Sequence, residues 1–201
     1  YELIDHLRTS GFTMPILIIT AKERFEDKQR GFQAGTDDYM VKPIDVNEMI
    51  LRVGALLKRA IEECEELGAT PDGKQIYLYR RTQQLHTPIL RELGRLREIA
   101  FRAVGEGSGL RRDLDKYDDD YYHLLLWDPK ELEIVGAYRF IPTAEQIARK
   151  GTSGLYTHTL FDYGQEIEHV LAQGLELGRS FIQPAYWGRR SLDYLWQGIG
   201  A

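Results

Sequence analysis

The segment "MPILIIT", residues 14–20, is an unbroken run of apolar and β-branched side chains. A strand with one wet face would alternate apolar and polar residues. A run without alternation belongs to a strand covered on both faces, as in a parallel sheet flanked by helices. The neighbouring pattern agrees. Residues 2–9 read as a helix, and the charged segment after the run ends at Ala34-Gly35 like a helix with a glycine stop. "DYMV" (38–41) reads as the next strand, closed by Pro43. Asp45 and Glu48 have the spacing of a capping box, and Val46, Met49, Ile50, Val53, Leu57, Ile61, Cys64 and Leu67 recur at steps of three and four. They predict one long helix running to Gly68. Helix–strand–helix–strand–helix is the order of an α/β layer.

After residue 67 the pattern changes. "GATPDGK" (68–74) reads as a linker, "QIYLYRR" (75–81) as a strand and Pro88 to Ala103 as a helix with Leu93, Leu96 and Ala100 inward. "YYHLLLWD" and "LEIVGAYRF", joined by "DPKE", predict an antiparallel hairpin. "GLYTHTLFDY" (154–163) predicts a further strand, "GLELGRSFI" (174–182) another, and "RRSLDYLWQGI" a closing helix. The chain is thus divided into 1–67 (α/β), 68–74 (linker) and 75–201 (α+β).

A net charge of −5 offers no positive field for nucleic acid, and the basic pairs Arg80-Arg81, Arg111-Arg112 and Arg189-Arg190 are too short to supply one. The single cysteine, Cys64, can form neither an internal disulfide nor a cysteine zinc site, which suits a reducing compartment. No apolar run approaches the ~20 residues that span a bilayer. A cytoplasmic location is expected, with peripheral membrane contact left open. The five histidines, His6, His86, His123, His158 and His169, lack metal-ligand spacing, and His158 is the one singled out for testing. "GEGSGL" (105–110) fails as a dinucleotide fingerprint and reads as a flexible loop, while Trp187 and Trp196 read as core more readily than as the walls of a groove for a long apolar chain.

In the order "ILIITA…GFQAGTDDYMVKP", residues 1–60 resemble the C-terminal half of a response-regulator receiver domain, a flavodoxin-like fold. The resemblance implies Thr20 as the hydroxyl that follows a phosphoryl group, Tyr39 as the ring that moves with it, and Lys42 as its ion-pairing lysine. The family's paired acidic residues and acceptor aspartate do not match any position in residues 1–60. The three residues are therefore expected to be remnants of a switch, and the helices of this segment to pack or to form a homodimer surface.

Residues 75–201 carry polar residues in a distinctive order. Arg97 and Phe101 share a helix face; Asp113, Asp115 and Asp118 crowd one loop; Arg139 lies near a strand end; Glu176, Arg179 and Ser180 share a strand, with Glu176 and Ser180 expected on one face and Arg179 on the other. This order, with "LELGRSFIQPAYWGRRSLDYLWQGIG", resembles the acyl-homoserine lactone synthases and, more closely, the ornithine-lipid and haemolysin-like N-acyltransferases of the GNAT superfamily. The resemblance implies a GNAT-like mixed sheet, an acyl group arriving on acyl carrier protein or coenzyme A as co-substrate, no tightly bound cofactor or metal, and an amine acceptor. Amine attack on a thioester needs a carboxylate to take a proton, assigned to Glu176, and backbone donors for the developing oxyanion, expected around Arg179 and Ser180. Gly188, Arg189, Arg190 and Ser191, between a strand and a helix, suit the donor's phosphates. Arg97, Asp115, Asp118 and Arg139 would shape the amine pocket. The chain is expected to be a fragment or an engineered fusion, incomplete at its C-terminus; the alternative reading is a non-catalytic signalling or dimerisation scaffold.

Overall fold

A computed structural model describes residues 1–80 and 87–200. Arg81 and His86 lie outside the described residues.

The first segment keeps the expected order of elements, but its first strand is not covered on both faces, since Ile19 is 39% exposed. Helix α1 (Glu2–Thr9) leads into β1 (Leu17–Thr20), α2 (Phe25–Gln33), β2 (Asp38–Val41) and α3 (Val46–Glu62). Strands β1 and β2 pair in parallel, with Ile18 opposite Tyr39. Asp45 caps α3 by accepting from the backbone N–H of Asn47 and Glu48 at 2.7 and 3.1 Å. The reciprocal half of a capping box is absent, because the Glu48 carboxylate pairs with Arg52 at 2.7 Å.

The helix stops at Glu62, short of the predicted Gly68. Residues 65–69 instead form β3 (Glu65–Ala69), which pairs antiparallel with β4 (Gln75–Tyr79), so the expected linker is a hairpin turn closed by the Thr70 N–H donating to Lys74 O at 2.8 Å and the Lys74 N–H donating to the Thr70 hydroxyl at 2.9 Å. Two packing demands decide this. Ile61 is fully buried and Leu57, Ala60 and Cys64 lie against the same core, whereas Leu67 packs on the opposite side of the sheet. A continued helix could not serve both sides. The N-terminal part of the predicted apolar stripe, Val46, Ile50 and Val53, stays exposed.

Helix α4 (Pro88–Ala103), β5 (Tyr122–Asp128), β6 (Glu133–Pro142), α5 (Thr143–Lys150), the short α6 (Glu168–Leu171), β7 (Leu175–Ile182) and α7 (Ser191–Ile199) follow. The strands form one sheet in the order β3-β4-β5-β6-β7, antiparallel throughout. Alternation along β5 sends Leu125 and Trp127 into the core under α3 and α4, and Leu124 and Leu126 into the core under α7. Gly136 on β6 permits close approach of β7: a Cβ there would stand 2.4 Å from the Phe181 carbonyl oxygen.

Residues 154–163 are not the predicted strand but two 3₁₀ turns, Thr152–Gly154 and Thr157–Thr159, with connecting loop. Side chains capture this segment's backbone: Gln146 donates to Gly154 O at 2.9 Å, and Glu176 accepts from the N–H groups of Tyr156 and Thr157 at 3.1 and 2.5 Å. With those groups satisfied, no sheet partner is required.

Candidate active site

The site grows from the inner face of α4. Thr87 caps this helix by accepting from Leu90 N–H at 3.3 Å, and Pro88 occupies its first turn. Its inward stripe of Ile89, Leu90, Leu93, Leu96 and Ala100 also carries Arg97 inward, leaving it 2% exposed. A buried guanidinium must find acceptors. Arg97 donates to Asp118 at 2.7 and 3.0 Å and to the Asp113 carbonyl at 2.9 Å. Arg139, from β6, pairs with Asp115 at 2.6 Å and Asp118 at 3.1 Å. Arg179, from β7, reaches Asp113 at 3.0 Å and Asp115 at 3.5 Å. Three guanidinium groups and three carboxylates thus share one cluster, and burial that would raise the Asp118 carboxyl is outweighed by the Arg97 hydrogen bond and charge, which hold it at about 2.

Tyr117, Tyr121 and Tyr156 surround the Arg139 guanidinium, their ring centres 5.2–6.0 Å away. The Glu176 carboxylate accepts from the Tyr121 hydroxyl as well as from Tyr156 and Thr157. Burial, then the bond to Glu176, pushes the Tyr121 hydroxyl well above its ordinary range. Among the described residues, no ion pair joins Glu176.

Strand β7 departs from regular pairing where the chemistry is expected. Phe181 faces Ala137 and Gly178 faces Arg139, so Arg179 and Ser180 together oppose Tyr138. This is a β-bulge, and Arg179 adopts φ 51°, in the left-handed region. The extra residue overturns the expected alternation. Glu176, Gly178 and Phe181 share the α4 face, the Arg179 side chain reaches Asp113 on that face, and Ser180 lines the α7 side instead. The bulge therefore separates two territories: the ionic cluster with Glu176 on one face, and Ser180 with Trp187, Gly188, Arg189 and Leu192 on the other.

On that second face Gly188 has φ 74° and Ser191 is buried at the start of α7. Arg189 lies over the Tyr186 ring and Arg190 over Tyr194, at 5.2 and 5.8 Å. No side chain caps the N-terminus of α7. Trp187 and Trp196, expected in the core, are 48% and 60% exposed.

In the first segment, Thr20 ends β1 and Lys42 directly follows β2, with Lys42 N–H donating to Thr20 O at 2.8 Å. Tyr39 is buried and its hydroxyl donates to Lys22 O at 2.9 Å.

Several residues escaped the sequence reading. Besides the tyrosines, Glu98 ties down the loop predicted to be flexible, accepting from Ser108 N–H and hydroxyl at 3.0 and 2.6 Å and from Gly109 N–H at 3.0 Å. Its carboxyl is lowered to about 2 by Ser108 and Arg102. His158 sits in a 3₁₀ turn, not a strand, 5.5 Å from the Tyr163 ring.

His123 is the histidine buried at the cluster, its Nε2 3.1 Å from the Asp118 carbonyl. Burial lowers its pKa to about 4, so the folded protein keeps it neutral. Between about 6.5 and 4 the unfolded chain binds a proton that the fold refuses, so stability falls as pH drops through that window, by about 1.4 kcal/mol per unit. His123→Gln should flatten this slope by one proton in urea titrations between pH 7 and 5. An unchanged slope would show that His123 does not carry it.

Residues 96–197 match the acetyltransferase (GNAT) domain model, and residues 1–54 the response regulator receiver domain model. The chain is 40% identical over 159 residues to a glycine N(alpha)-acyltransferase of Bacteroides thetaiotaomicron, covering 73% of this chain and 47% of that protein. A glycine N(alpha)-acyltransferase of Phocaeicola vulgatus is 36% identical over 159 residues, with 73% and 48% covered. The transcriptional regulatory protein CiaR of Streptococcus pneumoniae is 47% identical over 60 residues, 30% of this chain and 27% of that one. The chain spans about half the length of the two acyltransferases. No solved structure matches it, and no described helix is long and apolar enough to cross a membrane.

Proposed function

We propose that this chain, which belongs to the acetyltransferase (GNAT) domain family, transfers an acyl group from a thioester to the amine of glycine or a similar small amino acid. The single observation carrying this is the bulge at Arg179, which breaks the β6–β7 ladder between the buried cluster and the arginine-bearing loop. A broken ladder turns backbone groups away from their strand partner, where they can serve a developing oxyanion. The names and identities of the two acyltransferases support the choice of acceptor.

The amine nitrogen, freed of a proton, attacks the thioester carbon; the tetrahedral oxyanion collapses, the carbon–sulfur bond breaks, and the thiolate leaves and takes a proton. Glu176 is the proton acceptor. Asp113, Asp115 and Asp118 are each engaged by guanidinium groups, whereas Glu176 receives hydrogen bonds from neutral donors alone. Arg97, Asp115, Asp118 and Arg139 hold the acceptor side in shape. Gly188, Arg189, Arg190 and Ser191 receive the phosphates of coenzyme A or of a carrier protein's prosthetic arm.

Incubation of the protein with glycine and acyl-coenzyme A, or with glycine and acyl-acyl carrier protein, should release free thiol and yield N-acylglycine by mass spectrometry. Absence of both products with either donor would refute the reading.

A further inference from the structure

We propose that the trough between α7 and strands β6 and β7 is the acyl-chain subsite, and that Trp196, with Tyr138 and Leu192, sets the length of chain accepted. The inference rests on the acyl-transfer reading and names what that reading leaves open. Tyr138 is the β6 residue directly opposite the bulge, and Ser180 is the second of the two bulge residues on β7. From there two shallow grooves open on the α7 face. One is lined by Ser180, Ile182, Trp187 and Leu192, the other by Tyr138, Leu192 and Trp196, and Leu192 belongs to both.

The walls join exposed apolar side chains to a polar edge formed by Arg190, Asp193 and Gln197. Leu192 is 51% exposed, and both tryptophans keep about half their surface in water. The Trp196 ring stands 6.3 Å from that of Tyr138, and Trp187 is fixed by its indole N–H donating to Ile182 O at 2.8 Å. Arg189 and Arg190 lie along the same trough. Its occupant must therefore join an anionic head to an apolar tail, with its reactive group at the bulge. A fatty acyl-coenzyme A has that order of parts, and each methylene laid against the apolar wall should tighten binding about fourfold.

The test uses S-alkyl coenzyme A thioethers, which bind without reacting, with a short alkyl group or a long one brominated at its tail. The long thioether should quench the fluorescence of the exposed tryptophans and bind at least tenfold more tightly than the short one. Trp196→Ala should weaken the long thioether about tenfold and leave the short one within twofold. Leu192→Lys, at a second exposed position, should do the same. Equal affinity for both thioethers, or equal loss of both in the variants, would overturn the proposal. So would quenching by vesicles of brominated phosphatidylcholine without coenzyme A, which would assign the trough to a membrane surface. Tight, length-dependent binding by a protein that transfers nothing would leave the subsite standing and refute the acyl-transfer reading alone.

Discussion

Glu176→Gln is expected to lower acyl transfer by a factor on the order of 10²–10⁴ while the protein still folds. Glutamine keeps the shape of the side chain and loses the capacity to take a proton from the amine. The substitution also touches structure, because Glu176 anchors the backbone of Tyr156 and Thr157 and accepts from Tyr121. An amide NH₂ facing one of those donors leaves a buried clash of like polarity, at roughly 1–3 kcal/mol. The two effects separate by measurement. Loss of a base lowers kcat, whereas loosening of residues 152–159 raises KM and lowers the denaturation midpoint. Glu176→Asp, which retains the charge but retracts it, should recover part of kcat. Full turnover in the glutamine variant would remove Glu176 from the proton path.

What the sequence made legible follows the local character of each signal. "MPILIIT" and "DYMV" announce parallel strands because β-branched runs without alternation have few other homes, and the Asp45 cap is read from its oxygen alone. Arg97 could be placed on the inner face of α4 because its spacing from Leu93, Leu96 and Ala100 is helical. The features that failed to show are those decided by distant partners. Glu65–Ala69 extends a helical pattern and becomes a strand only because Gln75–Tyr79 pairs with it. Residues 154–163 have strand composition, but Glu176 and Gln146 claim their backbone. Backbone oxyanion donors are expected around Arg179 and Ser180, but the bulge there and its consequence for which side each residue faces are not legible. Positive φ at an arginine with a glycine beside it has no local signature. Tryptophan type likewise misled, since Trp127 is buried while Trp187 and Trp196 line an open trough.

Arg97→Met should destabilise the protein by about 3–5 kcal/mol, the range for breaking a buried ion pair from one side. Methionine fills much of the same volume, so the loss is electrostatic. Asp118, 3% exposed, would lose its bidentate guanidinium partner and keep the 3.1 Å contact with Arg139 and the 2.7 Å bond from the Asp115 N–H, and the Asp113 carbonyl would lose its guanidinium donor. Burial already works to raise the Asp118 carboxyl, and the Arg97 bond is the largest influence against it. With that bond gone, protonation of Asp118 becomes the cheaper way to remain buried. The deficit between variant and parent, measured by urea unfolding, should therefore narrow as pH falls toward the ordinary carboxylate range. In the parent, Asp118 behaves oppositely: its folded pKa is depressed, so its contribution is complete above about 4 and lost as pH falls toward 2. Adding Asp118→Leu to Arg97→Met should restore part of the stability, because it removes the stranded charge instead of the pair's attraction. Arg80→Met, which breaks a pair with Glu65 that is half exposed on both sides, should stay within about 1 kcal/mol. If Arg97→Met proved as mild as Arg80→Met, the cluster would not be the closed, dry network that its distances describe.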